Sequence, residues 1–171
     1  MTITSIKKAI EGVSKYFAEN PDAARLSDAP AVAAIEDGLR CVAKGPNGAV
    51  LVSDMPKGAG GGATAPTPGW LMRAALANCD ATVIAMRAAH LGIALSKLEV
   101  TVSSESDDRG LFGVVEGIDP GPSSLRVQVR LAAPSTTRAQ LREIVTWAEA
   151  HSPVGDALRR AVPYTTEVEI V

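Results

Sequence analysis

A glycine-rich run followed by a long apolar-leaning segment constrains this fold more than any other feature. Residues 58–69 are GAGGGATAPTPG, and residues 70–91 continue as WLMRAALANCDATVIAMRAAHL before Gly92. The glycines argue against regular structure in the first part. Thr67 and Pro68 suit the cap and the first position of a helix. We therefore predict a loop and then a long helix that ends near Gly92.

Composition restricts the functional classes. A length of 171 residues suits a single domain with a substantial core. The net charge of -2 gives no electrostatic basis for binding nucleic acid or an anionic membrane. Aromatic residues make up only 4% of the chain, so platforms on which bases could stack are not expected. We expect no nucleic-acid partner.

The expected location is cytoplasmic. Residues 1–8, MTITSIKK, lack the apolar core of a signal peptide, and two cysteines do not make a disulfide scaffold. The longest apolar-leaning stretch, residues 71–95, is interrupted by charged and polar side chains, so no membrane span is expected.

The first half of the chain predicts one helix and one small sheet. Residues 5–19 have apolar side chains at intervals of three and four, which is typical of an amphipathic helix. Three strand-like segments follow, and the Asn-Gly pair at residues 47–48 suits the turn between the last two. The predicted antiparallel meander comprises residues 31–36, 39–43 and 49–53.

The second half predicts two further strands, residues 98–105 and 125–131, each with alternating apolar side chains. A helix should begin at Ser135 or Thr136, followed by a short helix over residues 156–160. The last alternating segment, residues 165–170, predicts a final strand. This order indicates an α+β fold with antiparallel sheets packed on two longer helices.

Three short motifs carry a resemblance to a known family. After the glycine run come PTP at residues 66–68 and AALANC at residues 74–79, and HSPV occupies residues 151–154. In order and spacing they resemble the OsmC/Ohr family, the osmotically inducible and organic hydroperoxide resistance proteins. The resemblance covers roughly residues 31–171, so we expect an OsmC-like domain there and an N-terminal helical extension over residues 1–30.

The resemblance implies an intertwined homodimer whose sites lie at the subunit interface. It identifies Cys79 as the peroxide-reacting cysteine, and Ser152 stands where the family has a second cysteine. Family peroxidases also have a glutamate nine or ten residues before the first cysteine, where this chain has Trp70 and Gly69. Without a second family cysteine, an external thiol would have to reduce the oxidised protein.

A reactive thiolate at Cys79 needs a cation from another element. The helix start is too distant to help, and on a regular helix Arg73 and Arg87 lie about 120° and about 80° around the axis from Cys79. The resemblance implies an arginine from the N-terminal strands, with Arg40 the first candidate and Arg25 the second. Two plain structural roles stay open: Arg40 as a solvated strand residue and Cys79 as a small buried side chain.

Other candidates have smaller roles. Trp70 and Met86 are expected to line a substrate pocket. Cys41 is expected in the core, although it is the one thiol that could replace the missing second cysteine. His90 lies about 16 Å along the helix axis from the first cysteine, too far to act on it within one chain.

A hydrolase triad of His151, Ser152 and Asp156 is not expected, because adjacent His and Ser side chains point apart and no nucleophile elbow is present. Two isolated histidines and unclustered carboxylates give no metal site, and no cofactor is predicted.

Three functions follow from these residues. The first is an OsmC-like one-cysteine peroxidase that reduces organic hydroperoxides with an external thiol during oxidative stress. The second is a non-catalytic OsmC-like protein that binds a small apolar or electrophilic ligand. The third is a one-cysteine transferase or reductase acting on another electrophile.

Overall fold

The computed structural model describes residues 2–171. Within them the helices are α1 (Ile3–Glu19), α2 (Pro68–His90), α3 (Asp108–Leu111), α4 (Arg138–His151) and α5 (Pro153–Arg159). The strands are β1 (Val32–Asp37), β2 (Arg40–Lys44), β3 (Val50–Ser53), β4 (Lys97–Ser106) and β5 (Pro122–Ala132). Strands β1, β2 and β3 form one sheet in that order, and β4 pairs with β5 in a second. The predicted α+β class is confirmed.

The N-terminal meander is confirmed together with its turn. Strand β2 pairs antiparallel with β1 and with β3, and its Cys41 lies opposite Ile35 on one side and Ser53 on the other. Asn47 and Gly48 adopt φ values of 55° and 73° in the turn between β2 and β3. An Asn-Gly pair tolerates this left-handed conformation at little cost, so the turn closes where the sequence predicts it.

Helix α2 also begins and ends as predicted. Thr67 Oγ1 accepts a hydrogen bond from the Trp70 amide at 3.2 Å, and Pro68 occupies the first helical position, where its missing N–H costs nothing. At the other end Gly92 has φ of 73°, a conformation that favours glycine after a helix. Helix α1 confirms the predicted N-terminal helix.

The chain divides into two compact units. The first includes Leu76–Thr101 and Gln128–Val171, and the second comprises Lys8–Ala75 and Val102–Val127. The division into an extension over residues 1–30 and a domain over residues 31–171 stays a prediction. None of the helices in the described part of the chain is long and apolar enough to cross a membrane.

The core of the first unit lies between helices α2 and α4 and the second sheet. Ile84 and Ala88 of α2 and Ile144 and Ala148 of α4 are almost completely buried. Apolar side chains of β4, β5 and the flanking segments pack against this cluster: Val83, Ile93, Leu95, Leu98, Val100, Val129, Leu131, Leu141 and Val145. The two helices thus pack on the parts of β4 and β5 that lie in the first unit, in agreement with the predicted α+β packing.

The structure corrects the start of α4. Thr137, rather than Ser135 or Thr136, is the N-cap: its hydroxyl accepts from the Gln140 amide, and the Gln140 side chain accepts from the Thr137 amide. Reciprocal bonding of this kind satisfies two backbone donors at a helix start. Ser135 instead has φ of 58°, outside the helical region.

The predicted strand over residues 165–170 is wrong. No strand is assigned in this part of the described chain, and Ile170 and Tyr164 are 93% and 90% exposed. Alternation predicts which face of a strand is apolar, but a strand exists only when neighbouring backbone groups satisfy its hydrogen bonds. Among residues 2–171 the segment following α5 has no such neighbour.

Candidate functional site

The thiol of Cys79 lies in the middle of α2, is partly exposed and is not in a disulfide. Its sulfur accepts a hydrogen bond from the hydroxyl of Ser152 across 3.3 Å, although the two residues are 73 positions apart. The structure therefore brings Cys79 together with the residue that stands where the family resemblance expects a second cysteine.

Ser152 is held firmly in this position. Its side chain is completely buried, and it is the N-cap of α5, where its Oγ accepts from the Gly155 amide at 3.1 Å. Pro153 follows at the first helical position, which is the sequence signature of such a start. The oxygen accepts from the Gly155 amide, and the hydroxyl retains its one donor for the sulfur of Cys79.

The neighbouring polar side chains have other partners. The Arg87 guanidinium lies 4.7 Å from the centre of the Trp147 ring. The His151 ring stacks on the same side chain, with 3.8 Å between the Trp147 and His151 ring centres. Asp156 pairs with Arg160 at 2.7 Å. Neither His151 nor Asp156 engages the serine hydroxyl, so the geometry of a hydrolase triad is absent.

The residue next to Cys79 is a buried acid. Asp80 is only 7% exposed and lies on the stripe of α2 that also buries Leu76 and Ile84. No hydrogen bond or ion pair joins its carboxylate to another of the residues 2–171, and since no fully buried side-chain oxygen there is unsatisfied, the carboxylate oxygens keep some contact with solvent. The sequence analysis treated Asp80 only as an interruption of an apolar run, and its i, i+4 spacing to Leu76 and Ile84 is the signal that could have placed it inward.

Arg40, the first candidate for an activating cation, is held in the second unit. Its Nη1 donates to Thr64 Oγ1 at 3.1 Å, and its Nε lies 3.3 Å from a carboxylate oxygen of Glu36. Arg25, the second candidate, has a side chain that is 87% exposed and pairs with Asp22 at 3.7 Å. Arg40 is thus the better ordered of the two.

The glycine-rich loop is organised by a buried carboxylate that the sequence analysis missed. Asp54 is 2% exposed. It accepts from the Thr64 amide at 2.9 Å and hydroxyl at 2.8 Å, from the Met55 amide at 2.7 Å and from the Gly62 amide at 3.3 Å. These donors, led by those of Thr64, lower the pKa of Asp54 to about 2 from its ordinary value of 3.8.

Gly61 shows how closely this loop is packed. A Cβ placed at Gly61 would collide with the carbonyl group of Met55 and would lie 2.8 Å from an Asp54 carboxylate oxygen. Ala63 takes a left-handed φ of 55°, a conformation with a cost for a residue other than glycine. The loop is therefore an ordered structure with a fixed shape, and its many glycines reflect close backbone approach.

Trp70 lines a cavity in this second unit. The cavity has a volume of about 430 Å³, and Arg73 lies on its wall, with Nη1 donating to Ser104 Oγ at 3.0 Å. The rest of the wall is formed by loop residues and the helix cap: Pro56, Ala63, Ala65, Pro66 and Thr67. Met86, the other predicted pocket residue, is 43% exposed on α2.

A profile of the family described as OsmC-like protein matches residues 60–167. This match covers more than half of the chain and includes Cys79 and Ser152. The chain belongs to the OsmC-like protein family. No protein with a curated description matches the sequence.

Solved structures agree with the family fold. An OsmC-like protein of Mycoplasma pneumoniae is 15% identical with a TM-score of 0.67, over 80% of this chain and 91% of that one. An organic hydroperoxide resistance protein of Legionella pneumophila is 22% identical with a TM-score of 0.57, over 79% and 91%. A Vibrio cholerae protein named for organic hydroperoxide resistance, with captopril in one of its active sites, is 25% identical with a TM-score of 0.54, over 81% and 90%.

Proposed function

We propose that this protein reduces organic hydroperoxides at Cys79 as a one-cysteine peroxidase, with an external thiol as reductant. Membership of the OsmC-like family supports a role in peroxide resistance, as does the similarity to the Vibrio cholerae protein named for that role. The observation that carries the proposal is the buried Ser152 hydroxyl, which donates to the Cys79 sulfur at 3.3 Å.

The proposed reaction begins with attack of the Cys79 thiolate on the terminal peroxide oxygen. An S–O bond forms and the O–O bond breaks, so the sulfur is oxidised to sulfenic acid and the hydroperoxide leaves as an alcohol after taking a proton. One external thiol then condenses with the sulfenic acid and releases water. A second thiol displaces Cys79 from the mixed disulfide and restores the starting state.

Ser152 has two parts in this scheme. Its hydroxyl proton is directed to sulfur, which solvates a thiolate in a site where bulk water has limited access. Because a hydroxyl cannot form a disulfide, the sulfenic acid has no resolving partner at this position. Because position 152 is a serine, an external thiol has to reduce the sulfenic acid.

The remaining parts of the proposal involve a second copy of the chain. Arg40 is proposed as the cation that stabilises the thiolate, and Trp70 and Met86 as apolar contacts of the peroxide, within an intertwined homodimer. Strand β1 supports a dimer, since its Val32 and Ile35 are 64% and 62% exposed. Because positions three residues apart lie on opposite faces of a strand, a partner would bury both side chains only by covering both faces of β1, as an intertwined dimer could.

Steady-state turnover with cumene hydroperoxide and dithiothreitol tests the proposal. We expect Cys79→Ser to abolish turnover because it removes the nucleophile, whereas Cys41→Ser, which changes the chain's other cysteine, should retain most of it. Equal turnover by the wild type and Cys79→Ser would refute the proposal.

The second candidate function is ligand binding without peroxidase chemistry. It is favoured by the absence of the glutamate that the resemblance expects nine or ten residues before Cys79, where Gly69 and Trp70 stand. The Trp70 cavity gives such a protein a place for a ligand. A wild-type thiol that stays reduced in excess hydroperoxide would support this second function.

A further inference from the structure

The cavity beside Trp70 contains a cation that lacks a counter-ion. Arg73 is partly buried and makes one hydrogen bond, to the neutral hydroxyl of Ser104. No carboxylate of residues 2–171 pairs with it. Five arginines have an acidic partner within 4 Å, namely Arg25, Arg40, Arg109, Arg130 and Arg160. Within residues 2–171 no such partner is found for Arg87, Arg126, Arg138, Arg142 and Arg159 either, and what distinguishes Arg73 is its place on the wall beside Trp70.

The partial burial of the Arg73 guanidinium, without an acidic partner, favours the binding of an anion. A guanidinium that has lost part of its hydration gains most from an anion that accepts two of its N–H donors at once. The bond from Nη1 to Ser104 fixes the orientation of the planar group before any ligand arrives. A preoriented donor set binds an anion with a smaller loss of side-chain entropy.

The other walls of the cavity suit an aromatic body. Trp70 presents a large indole surface that is 48% exposed, and Pro56, Pro66 and the two alanines add flat or small apolar surface. Indole rings pack best against other rings in offset or edge-to-face contact. The cavity has a volume of about 430 Å³ and is widely open to solvent, so a ligand would rest on Trp70 with one side in water.

The loop that forms one side of the cavity is built before binding. Asp54 ties Gly62 and Thr64 to the end of β3, which places Ala63 and Ala65 on the wall. Because Gly61 packs directly against the Met55 carbonyl, this wall has little freedom to collapse into the cavity. The site therefore has a defined shape.

We infer that this cavity binds a small aromatic carboxylate, whose carboxylate pairs with the Arg73 guanidinium and whose ring packs on Trp70. The inference concerns binding alone and needs no reaction at Cys79. Because Trp70 is also the proposed peroxide contact and its cavity the ligand site of the second candidate function, the inference deepens those proposals by naming a ligand class. Binding of 2-naphthoate is measured without turnover, so its failure and the failure of the peroxidase proposal are distinguishable.

Isothermal titration of the full-length protein with 2-naphthoate tests the inference, with 2-naphthamide as the neutral analogue of the same shape. We expect saturable binding of 2-naphthoate by the wild type and affinity at least about tenfold lower for the amide, since it loses a charge-assisted pair. Arg73→Gln should lower the affinity for 2-naphthoate by a similar factor. Trp70→Leu should weaken it about threefold to tenfold through loss of ring packing.

Arg126→Gln is the matched control, because it makes the same charge change on an exposed residue of β5 and should leave the affinity unchanged. Circular dichroism melts check that each variant folds, and the comparison of 2-naphthoate with 2-naphthamide on the wild type needs no variant. Equal affinity for acid and amide, unchanged affinity in Arg73→Gln, or no saturable binding by the wild type would each overturn the inference.

Discussion

Two polar groups of this protein, the buried Asp54 carboxylate and the partly exposed Cys79 thiol, differ in how many hydrogen bonds they accept. The Asp54 carboxylate accepts four hydrogen bonds within one loop. Among the described residues only Ser152 donates a hydrogen bond to the Cys79 sulfur. A carboxylate with four donors is fixed and chemically satisfied. A sulfur with one donor keeps room for a reagent. The hydrogen bonds of the loop give it a fixed shape, and the proposed function assigns the chemistry to the thiol region.

Gly61 offers the strongest way to break the loop. Gly61→Ala would force a methyl group into the Met55 carbonyl, so the loop must move and its bonds to Asp54 must loosen. We expect a fall in Tm of several degrees and faster amide exchange in residues 58–64.

Gly58→Ala is the control for the glycine substitution, because a Cβ at Gly58 meets nothing within 4 Å. It should leave Tm nearly unchanged or raise it slightly by reducing the entropy of the unfolded chain. Equal effects of the two substitutions would show that close packing at Gly61 does not govern the loop.

Asp54→Asn tests the same loop through pH. The pKa of Asp54 is lowered in the folded state to about 2 from 3.8, so its ionised form stabilises the fold above about pH 4, and this contribution disappears as pH falls towards 2. We expect the variant to be less stable than the wild type at pH 7 and the difference to narrow steadily below pH 4. A constant difference across that range would contradict the role of the charged carboxylate.

The sequence predicted local features better than distant contacts. The Asn47–Gly48 turn and the Thr67 cap depend on neighbouring residues, so their patterns were sufficient. The Asp54 carboxylate, at the end of a strand, accepts hydrogen bonds from backbone amides up to ten positions away. No sequence pattern predicts which amides of a loop will donate to a buried carboxylate. Contact between Cys79 and Ser152 was suggested only by the family resemblance, because a hydrogen bond across 73 positions depends on the completed fold.

The failed prediction of the last strand has the same origin. Residues 165–170 have the correct alternation, but pairing depends on an available strand edge, which a sequence pattern does not encode. The start of α4 was displaced for a simpler reason, since Ser135, Thr136 and Thr137 are all acceptable caps and only Thr137 has Gln140 three residues later.

Ser152→Ala tests the thiol region, and we expect a smaller effect from it than from the substitutions in the loop. Loss of the hydroxyl removes the one hydrogen bond to Cys79, and we expect oxidation of the thiol by cumene hydroperoxide to slow about twofold to tenfold at pH 7. Stopped-flow kinetics under single-turnover conditions would measure it.

Thr137→Ala is the control for this change, since it also removes a helix N-cap and should cost similar stability, about 1 kcal/mol. Its oxidation rate should match that of the wild type. Equal slowing in both variants would assign the effect to capping alone.

The most direct test of the central claim follows the product of one equivalent of cumene hydroperoxide by mass spectrometry, in the wild type and in Ser152→Cys. The account predicts a dimedone-trapped sulfenic acid on Cys79 in the wild type. In Ser152→Cys it predicts little trapped product and instead a disulfide between positions 79 and 152, because the Ser152 oxygen lies 3.3 Å from the sulfur. An unmodified Cys79 in the wild type, or sulfenic acid that persists unchanged in Ser152→Cys, would contradict it.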